Sequence, residues 1–388
     1  MAPLHLRVLT SPAELREAAP QWDRLWQASD CTLPSLQANT LAVELEHFRP
    51  LGAHRLFVVE QGGQFLGALP VIDQRGVPGW RVGSVTGNCW SPSCDLLVDR
   101  QCDLTPVLER LLDGVCAAHW PLVDFHAVDL TLPRWQAWRE AIDRRGLECL
   151  QTERIAIGVL RIEGTWDEYC ARLTRNHRRQ MRRMVRKCDA WGGAALRVER
   201  AVAPDDVAPL LRRGFEVENS SWKGSQGSSV LATEGKLAFY TDQARTLAAK
   251  GQLQLAFLEV GGEPAAFEYG WLSKGVYYAV KVGYDERRAE ATPGQLLRWL
   301  LFERLHNEGC WRTIDFVGPI TRALSSWSNG DYKLSRLVVA PRRLSGRLAL
   351  ATYRALRPLL RSKDQPPQPE PQVPAEPDSP ADLALAEA

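Results

Sequence analysis

The chain has 388 residues, 45% hydrophobic, 24% charged and 8% aromatic, an ordinary globular composition that excludes collagen-like, wholly disordered and disulfide-scaffold proteins. Lys and Arg total 48 against 46 Asp and Glu, so the net charge of +2 names no partner by itself. Nine scattered cysteines form no Cys-x-x-Cys pair, the N-terminus has no apolar leader, and no stretch approaches the roughly 18 apolar residues of a membrane span. The expectation is a reduced, cytoplasmic protein without transmembrane segment, structural zinc or disulfides.

Along the chain, residues 55–72 (RLFVVEQGGQFLGALPVI) read as two strands around a Gly62-Gly63 turn. Thr105-Pro106 then opens an apolar helix, and a strand containing Asp124-Phe125 follows. From Thr165-Trp166-Asp167-Glu168, a capping-box start, residues 165–190 read as a single helix. Tyr169, Leu173, His177, Met181, Met184 and Cys188 share its apolar face. The other faces carry Arg172, Arg175, Arg178, Arg179, Arg182, Arg183, Arg186 and Lys187. His177 has no second ligand in sequence and reads as structural. A short strand (196–201), a helix (204–219) and a second helix (233–250) come next. Strands over 252–260, 264–272 and 276–283 follow, the first two around Gly261-Gly262. Thr292-Pro293 opens a helix to 308, and strands over 311–317, with Asp315-Phe316, and 332–340 close the pattern. The order hairpin, Thr-Pro helix, Asp-Phe strand therefore occurs twice, which argues for tandem copies of one α/β fold. The boundaries expected are 1–160 for a degenerate first copy, 161–341 for the second, 342–362 for a basic amphipathic helix broken near Pro358, and 363–388 for a disordered tail rich in Pro and acids.

The second copy's order, β-α-α-β-β-β-α-β-(α)-β, and the strings NHRRQMRRMVRK, ENSSWKG, KVGYDERRAEATPGQLL and IDFVGP resemble the GCN5-related N-acetyltransferase (GNAT) superfamily. Within it they are similar to the BioF-like branch that includes CelD-type cellulose-biosynthesis proteins, itself related to the FemABX peptidyltransferases. The resemblance covers residues 160–340 well and 1–160 weakly. It implies a tandem GNAT fold, mixed sheets flanked by helices, and an acyltransferase that takes an acetyl group from acetyl-CoA, with no metal. It also implies an acceptor among amino sugars, nucleotide sugars or other cell-envelope polysaccharide precursors. Two other readings stay open: a Fem-like transferase fed by aminoacyl-tRNA, and a non-catalytic assembly protein of polysaccharide biosynthesis.

An acyl-CoA pyrophosphate needs positive potential and free N–H donors, which a helix N-terminus supplies. Thr292, Gly294 and Gln295 at the start of the second Thr-Pro helix are the candidates, with Arg287 and Arg288 upstream. Lys281, Val282 and Gly283 lie on the preceding strand, where the fold would place the oxyanion donor. The first copy has Val107 after Thr105-Pro106 and no Gly, so no donor site is expected there. Glu268, alone in the apolar stretch AAFEYGW and opposite in phase to Phe267 and Tyr269, is the first candidate base. Asp315 and Asp285 are its rivals, and Tyr284 or Tyr332 the candidate acid. Glu218, Asn219, Ser220, Ser221, Trp222 and Lys223 form a candidate acceptor platform, and Trp222 and Trp327 are the indoles offered for sugar stacking. Eight cations in sixteen residues call for an anionic ligand or a solvated face, and no aromatic-interleaved motif accompanies them to favour nucleic acid.

Overall fold

The structure, a computed structural model, describes residues 2–48, 54–76, 80–88, 90–92, 94–190 and 192–360. Residues Met1–Leu350 form one compact unit and Ala351–Ala388 a second. The tail expected over 363–388 lies outside the described residues.

The first copy runs β1 (His5–Leu9), α1 (Pro12–Glu17), α2 (Ala19–Ala28), α3 (Ala38–His47), β2 (His54–Gln61), β3 (Gln64–Arg75), β4 (Arg81–Val85), β5 (Leu97–Val98), α4 (Leu104–Ala117), β6 (Val123–Val128), α5 (Pro133–Arg144) and β7 (Glu148–Arg161). The second runs α6 (Trp166–Arg172), α7 (Arg175–Asp189), β8 (Ala194–Glu199), α8 (Pro204–Asn219), α9 (Trp222–Ser225), α10 (Lys236–Ala248), β9 (Leu253–Val260), β10 (Glu263–Ser273), β11 (Val276–Tyr284), α11 (Pro293–Glu308), β12 (Thr313–Pro319), α12 (Arg322–Ser325) and β13 (Gly330–Ala340). Helix α13 (Leu344–Leu360) follows, and its backbone continues through position 358, where the sequence suggested a break.

The two Gly-Gly hairpins are built alike. Gly62 and Gly63 have φ of 57° and 80°, Gly261 and Gly262 62° and 83°. Both turns thus need the left-handed conformation twice in succession, which Gly adopts without a Cβ penalty. The two Thr-Pro pairs, by contrast, differ. Asp103, two residues before Thr105, caps α4 through the Thr105 N–H. Thr292 is itself the cap of α11 and sits at φ 42°, ψ 56°. The expected single helix over 165–190 is two: Thr174 leaves helical geometry, and its hydroxyl accepts the His177 N–H to start α7 afresh.

All strands form one sheet, in the order β1-β2-β3-β4-β6-β13-β7-β12-β11-β10-β9-β8, with β5 beside β3. The order is a palindrome of the two copies, except that their last strands are exchanged. β13 of the second copy lies between β6 and β7, and β7 of the first lies between β13 and β12. Side chains alternate between two faces. In the second copy, Phe267, Tyr269 and Trp271 pack with Phe215 and Tyr240 of α8 and α10. Ala266, Leu272 and Tyr277 pack with Leu296, Leu297 and Leu301 of α11 and with Met181 and Met184 of α7.

The β10–β11 turn joins the copies. Lys274 takes a left-handed φ of 46°, unusual for a side-chain-bearing residue. Its ammonium compensates by donating to the carbonyls of Trp26 (2.6 Å), Ser29 (2.9 Å) and Cys31 (2.8 Å) and by lying 4.1 Å from the Trp26 ring centre. The Trp26 and Ser29 carbonyls end α2 of the first copy, where the helix dipole favours a cation. Lys274→Met keeps the stem and removes the charge, leaving carbonyls unpaired. The expected loss is about 2–3 kcal/mol, read as a lower urea midpoint at unchanged slope.

Candidate functional site

Strands β11 and β12 are parallel neighbours only from Val276–Tyr278 against Thr313–Asp315. Beyond that point they part, and residues Ala279–Val282 and Tyr284 of β11 are half-exposed although the strand is central in the sheet. A register shift between Tyr269 and Gly270 adds a bulge in β11 at Val280. The mouth of this wedge leads to the start of α11.

Asp315 sits at the vertex, opposite Tyr278. It is 8% exposed, and its carboxylate accepts the Tyr332 hydroxyl (3.0 Å) and the Val317 N–H (2.7 Å). Burial pushes the Asp315 carboxyl up to about 6 against these two bonds, which pull the other way. Val317 has φ 60°, a left-handed conformation costly for a β-branched side chain. Beside them the Tyr278 hydroxyl bonds the Thr32 hydroxyl of the first copy. Tyr332, one of the two candidate acids, is thus brought to Asp315.

The other candidates lie elsewhere. Glu268 is completely buried on the opposite sheet face, under α11. Burial raises its carboxyl pKa, Tyr277 donates to one oxygen (2.6 Å), and the other oxygen has no partner among the described residues. Tyr284 stands six residues along β11 from the vertex, about 20 Å away, and packs beside Gly294, where a Cβ would lie 3.7 Å from its ring. It therefore cannot serve one reacting atom together with Asp315. Burial raises the Asp285 pKa, but bidentate bonds from Arg287 (2.9 and 2.9 Å) outweigh it and hold the carboxyl below its usual range.

At the start of α11, the Thr292 N–H bonds Ala289 and the Gln295 N–H bonds Thr292. Pro293 has no N–H, which leaves Gly294 as the one open donor of the turn. A Cβ at Gly294 would meet nothing closer than 3.7 Å, so the space in front of it is open. The Gln295 side chain accepts the Trp327 indole N–H (2.6 Å), and Trp327 is fully buried, which removes it as a stacking platform. Arg288 donates to the Val260 carbonyl (2.8 Å) and, with Arg287, Val260 and Gly261, lines an open depression of about 380 Å³.

The segment 218–224 is braced against β11. Lys223 donates to the Val282 carbonyl (2.8 Å) and to Glu218 (3.3 Å), and Glu218 also accepts the Val230 N–H (3.0 Å). The Ser221 hydroxyl donates to the Glu218 carbonyl (2.6 Å), and Asn219 accepts from Ser229 (2.6 Å). A Cβ at Gly283 would lie 2.4 Å from the Glu218 Cα, so the close approach of α8 to β11 requires glycine there. Trp222 is half-buried on the short helix α9. Sequence reading missed Trp90, a first-copy residue whose ring lies 4.3 Å from the Lys281 ammonium and whose carbonyl accepts the Tyr240 hydroxyl (2.9 Å). No local signal marks it, because only the fold brings the copies together.

The first copy has an equivalent wedge that differs in each working part. Strands β4 and β6 pair only at Gly83–Val123 and Ser84–Asp124, so Asp124 occupies the position of Asp315. Yet Asp124 is held by both guanidinium arms of Arg336 (2.8 and 2.6 Å). Eighteen residues (86–103) rather than eight (285–292) lead to the next long helix. That helix starts at the Asp103 carboxylate, which disfavours an anion.

Residues 175–334 match the family model of the acetyltransferase (GNAT) domain. No curated protein sequence matches the chain. Among solved structures, FemX is similar over 91% of this chain and 99% of its own, with TM-score 0.57 and 10% identity. The C-terminal domain of a putative lysylphosphatidylglycerol synthetase from Agrobacterium fabrum is similar over 89% and 97%, with TM-score 0.55 and 12% identity. At such identities these likenesses speak for the fold. Residues 175–334 thus resemble the acetyltransferase (GNAT) domain, and the chain as a whole shares the fold of FemX.

A buried carboxyl that binds its proton more tightly folded than unfolded weakens the fold as pH rises from 3.8 to about 6. Asp315→Asn is therefore expected to stabilise the protein above pH 6, by up to about 3 kcal/mol. Denaturant midpoints at pH 5 and pH 8 check this: the gain should be larger at pH 8.

Proposed function

We propose that the second copy transfers an acetyl group from acetyl-CoA to an amine or hydroxyl, and that Asp315 is the general base. The observation that carries this reading is the buried carboxylate at the vertex of a wedge whose mouth opens on a helix N-terminus. The donor's phosphates would lie at Gly294 and its thioester would reach into the wedge towards Asp315. There the acceptor nitrogen or oxygen attacks the thioester carbon and Asp315 takes its proton. Backbone N–H groups near the Val280 bulge face the oxyanion, and the C–S bond then breaks to release CoA thiolate, which is protonated by water while Asp315 returns its own proton to solvent. Tyr332, bonded to Asp315, orients the carboxylate. Burial favours this role, because a base near 6 is largely ionised at neutral pH yet more basic than an exposed aspartate.

The acceptor would enter from the sheet face that carries Asp315, between the 218–230 segment and the first copy's Thr32 and Trp90. Indole, hydroxyl and ammonium groups there fit an amino sugar or a nucleotide sugar of a cell-envelope polysaccharide precursor.

Two outcomes are expected. Gly294→Glu places a carboxylate in the open space before α11, and calorimetry should show acetyl-CoA affinity reduced by about 100-fold or more in a variant with unchanged melting temperature. Unchanged affinity would remove this turn as the donor site. With glucosamine as probe acceptor, CoA thiol release should fall below pH 6 as Asp315 takes up a proton. Asp315→Asn should lose about 10²–10⁴-fold in rate together with that acidic limb.

A further inference from the structure

Helix α7 lies against the turn that opens α11. The Thr292 hydroxyl is 2.8 Å from the Met184 sulfur, and the Lys187 ammonium donates to the Glu290 carbonyl at 3.0 Å. His177, Met181, Met184 and Cys188 are buried and fix the rotation of α7. That rotation sets Lys187, and Arg183 one turn earlier on the same stripe, along the edge facing the turn.

The turn's own means of holding phosphate are few. It offers the single N–H of Gly294, Pro293 offers none, and Thr292 and Gln295 use theirs internally. The arginines just upstream are engaged: Arg287 with Asp285, Arg288 with the Val260 carbonyl. A pyrophosphate carries about two negative charges, more than one N–H and a helix dipole balance. The Lys187 ammonium has three donors and gives one to Glu290. Arg175, Arg178, Arg179, Arg182 and Arg186 pair with no carboxylate among the described residues, so the whole helix raises the positive potential in front of the turn.

We infer that α7 is the phosphate-recognition element of the donor site, with Lys187 and Arg183 binding phosphate oxygens of the donor. This rests on the acetyl-CoA reading above and adds that the charge comes from the preceding helix rather than from the β11–α11 turn. The ligand class is a di- or polyphosphorylated thioester.

The test compares acetyl-CoA with S-acetylpantetheine, which keeps the thioester and lacks every phosphate, in calorimetric titrations of the full chain at low and high salt. The wild type should prefer acetyl-CoA, and the preference should shrink with salt. In Lys187→Gln/Arg183→Gln the preference should fall by about tenfold or more and its salt dependence should flatten. Lys187→Arg/Arg183→Lys should restore most of it. A merely structural role for α7 would weaken both ligands equally, and that result overturns the inference. So does a double Gln variant that keeps wild-type affinity for acetyl-CoA but loses binding of a 20-nucleotide RNA, which would assign the stripe to nucleic acid. If the wild type prefers neither thioester ligand because it binds neither, the acetyl-CoA reading itself fails. Binding of both without preference contradicts the role of α7 and the phosphate site at Gly294, and leaves the thioester reading standing.

Discussion

Strand β13 hydrogen-bonds to strands of the first copy on both its edges, and that constraint shapes both wedges of the sheet. It carries Tyr332 to Asp315 in one wedge and Arg336 to Asp124 in the other, four residues apart on the same strand. Two aspartates in equivalent positions thereby acquire opposite characters. A phenol leaves Asp315 a buried carboxylate with a raised proton affinity. A guanidinium compensates Asp124 with a bidentate ion pair, which ties up both oxygens. The exchange of last strands thus joins the copies in one compact unit and gives the two wedges different partners.

The proposed site carries a cost in stability at the vertex. Asp315 loses hydration, Val317 is held at a left-handed φ, and the sheet gives up its ladder beyond Tyr278 and Asp315. Packing elsewhere supports these costs: Trp271, Tyr269 and Phe215 on one face, the α11 leucines on the other, and the Lys274 ammonium holding the end of α2. A wedge that relaxed into a continuous ladder would close the route from α11 to Asp315 that the parted strands leave.

Much of this fold was legible in the sequence. Gly62-Gly63 and Gly261-Gly262 announced matching hairpins because two successive left-handed residues are cheap only for glycine. Asp124-Phe125 and Asp315-Phe316 marked equivalent strands, and the alternation in AAFEYGW placed Glu268 opposite Phe267 and Tyr269. What alternation cannot say is which face an acceptor reaches, so Glu268 stood ahead of Asp315 until the sheet showed it sealed under α11. The break at Thr174 was hidden inside a continuous apolar stripe, since a threonine fits a helix face as well as it caps one. Strand exchange, Thr32 and Trp90 depend on contacts more than 100 residues apart, for which neither periodicity nor turn chemistry carries a signal.

The central claim is that one wedge of two works. The direct measurement is the number of acetyl-CoA molecules held by each chain at saturation, by native mass spectrometry. One per chain, lost on Gly294→Glu, is the expected result. Two per chain, or one that survives Gly294→Glu, would contradict it.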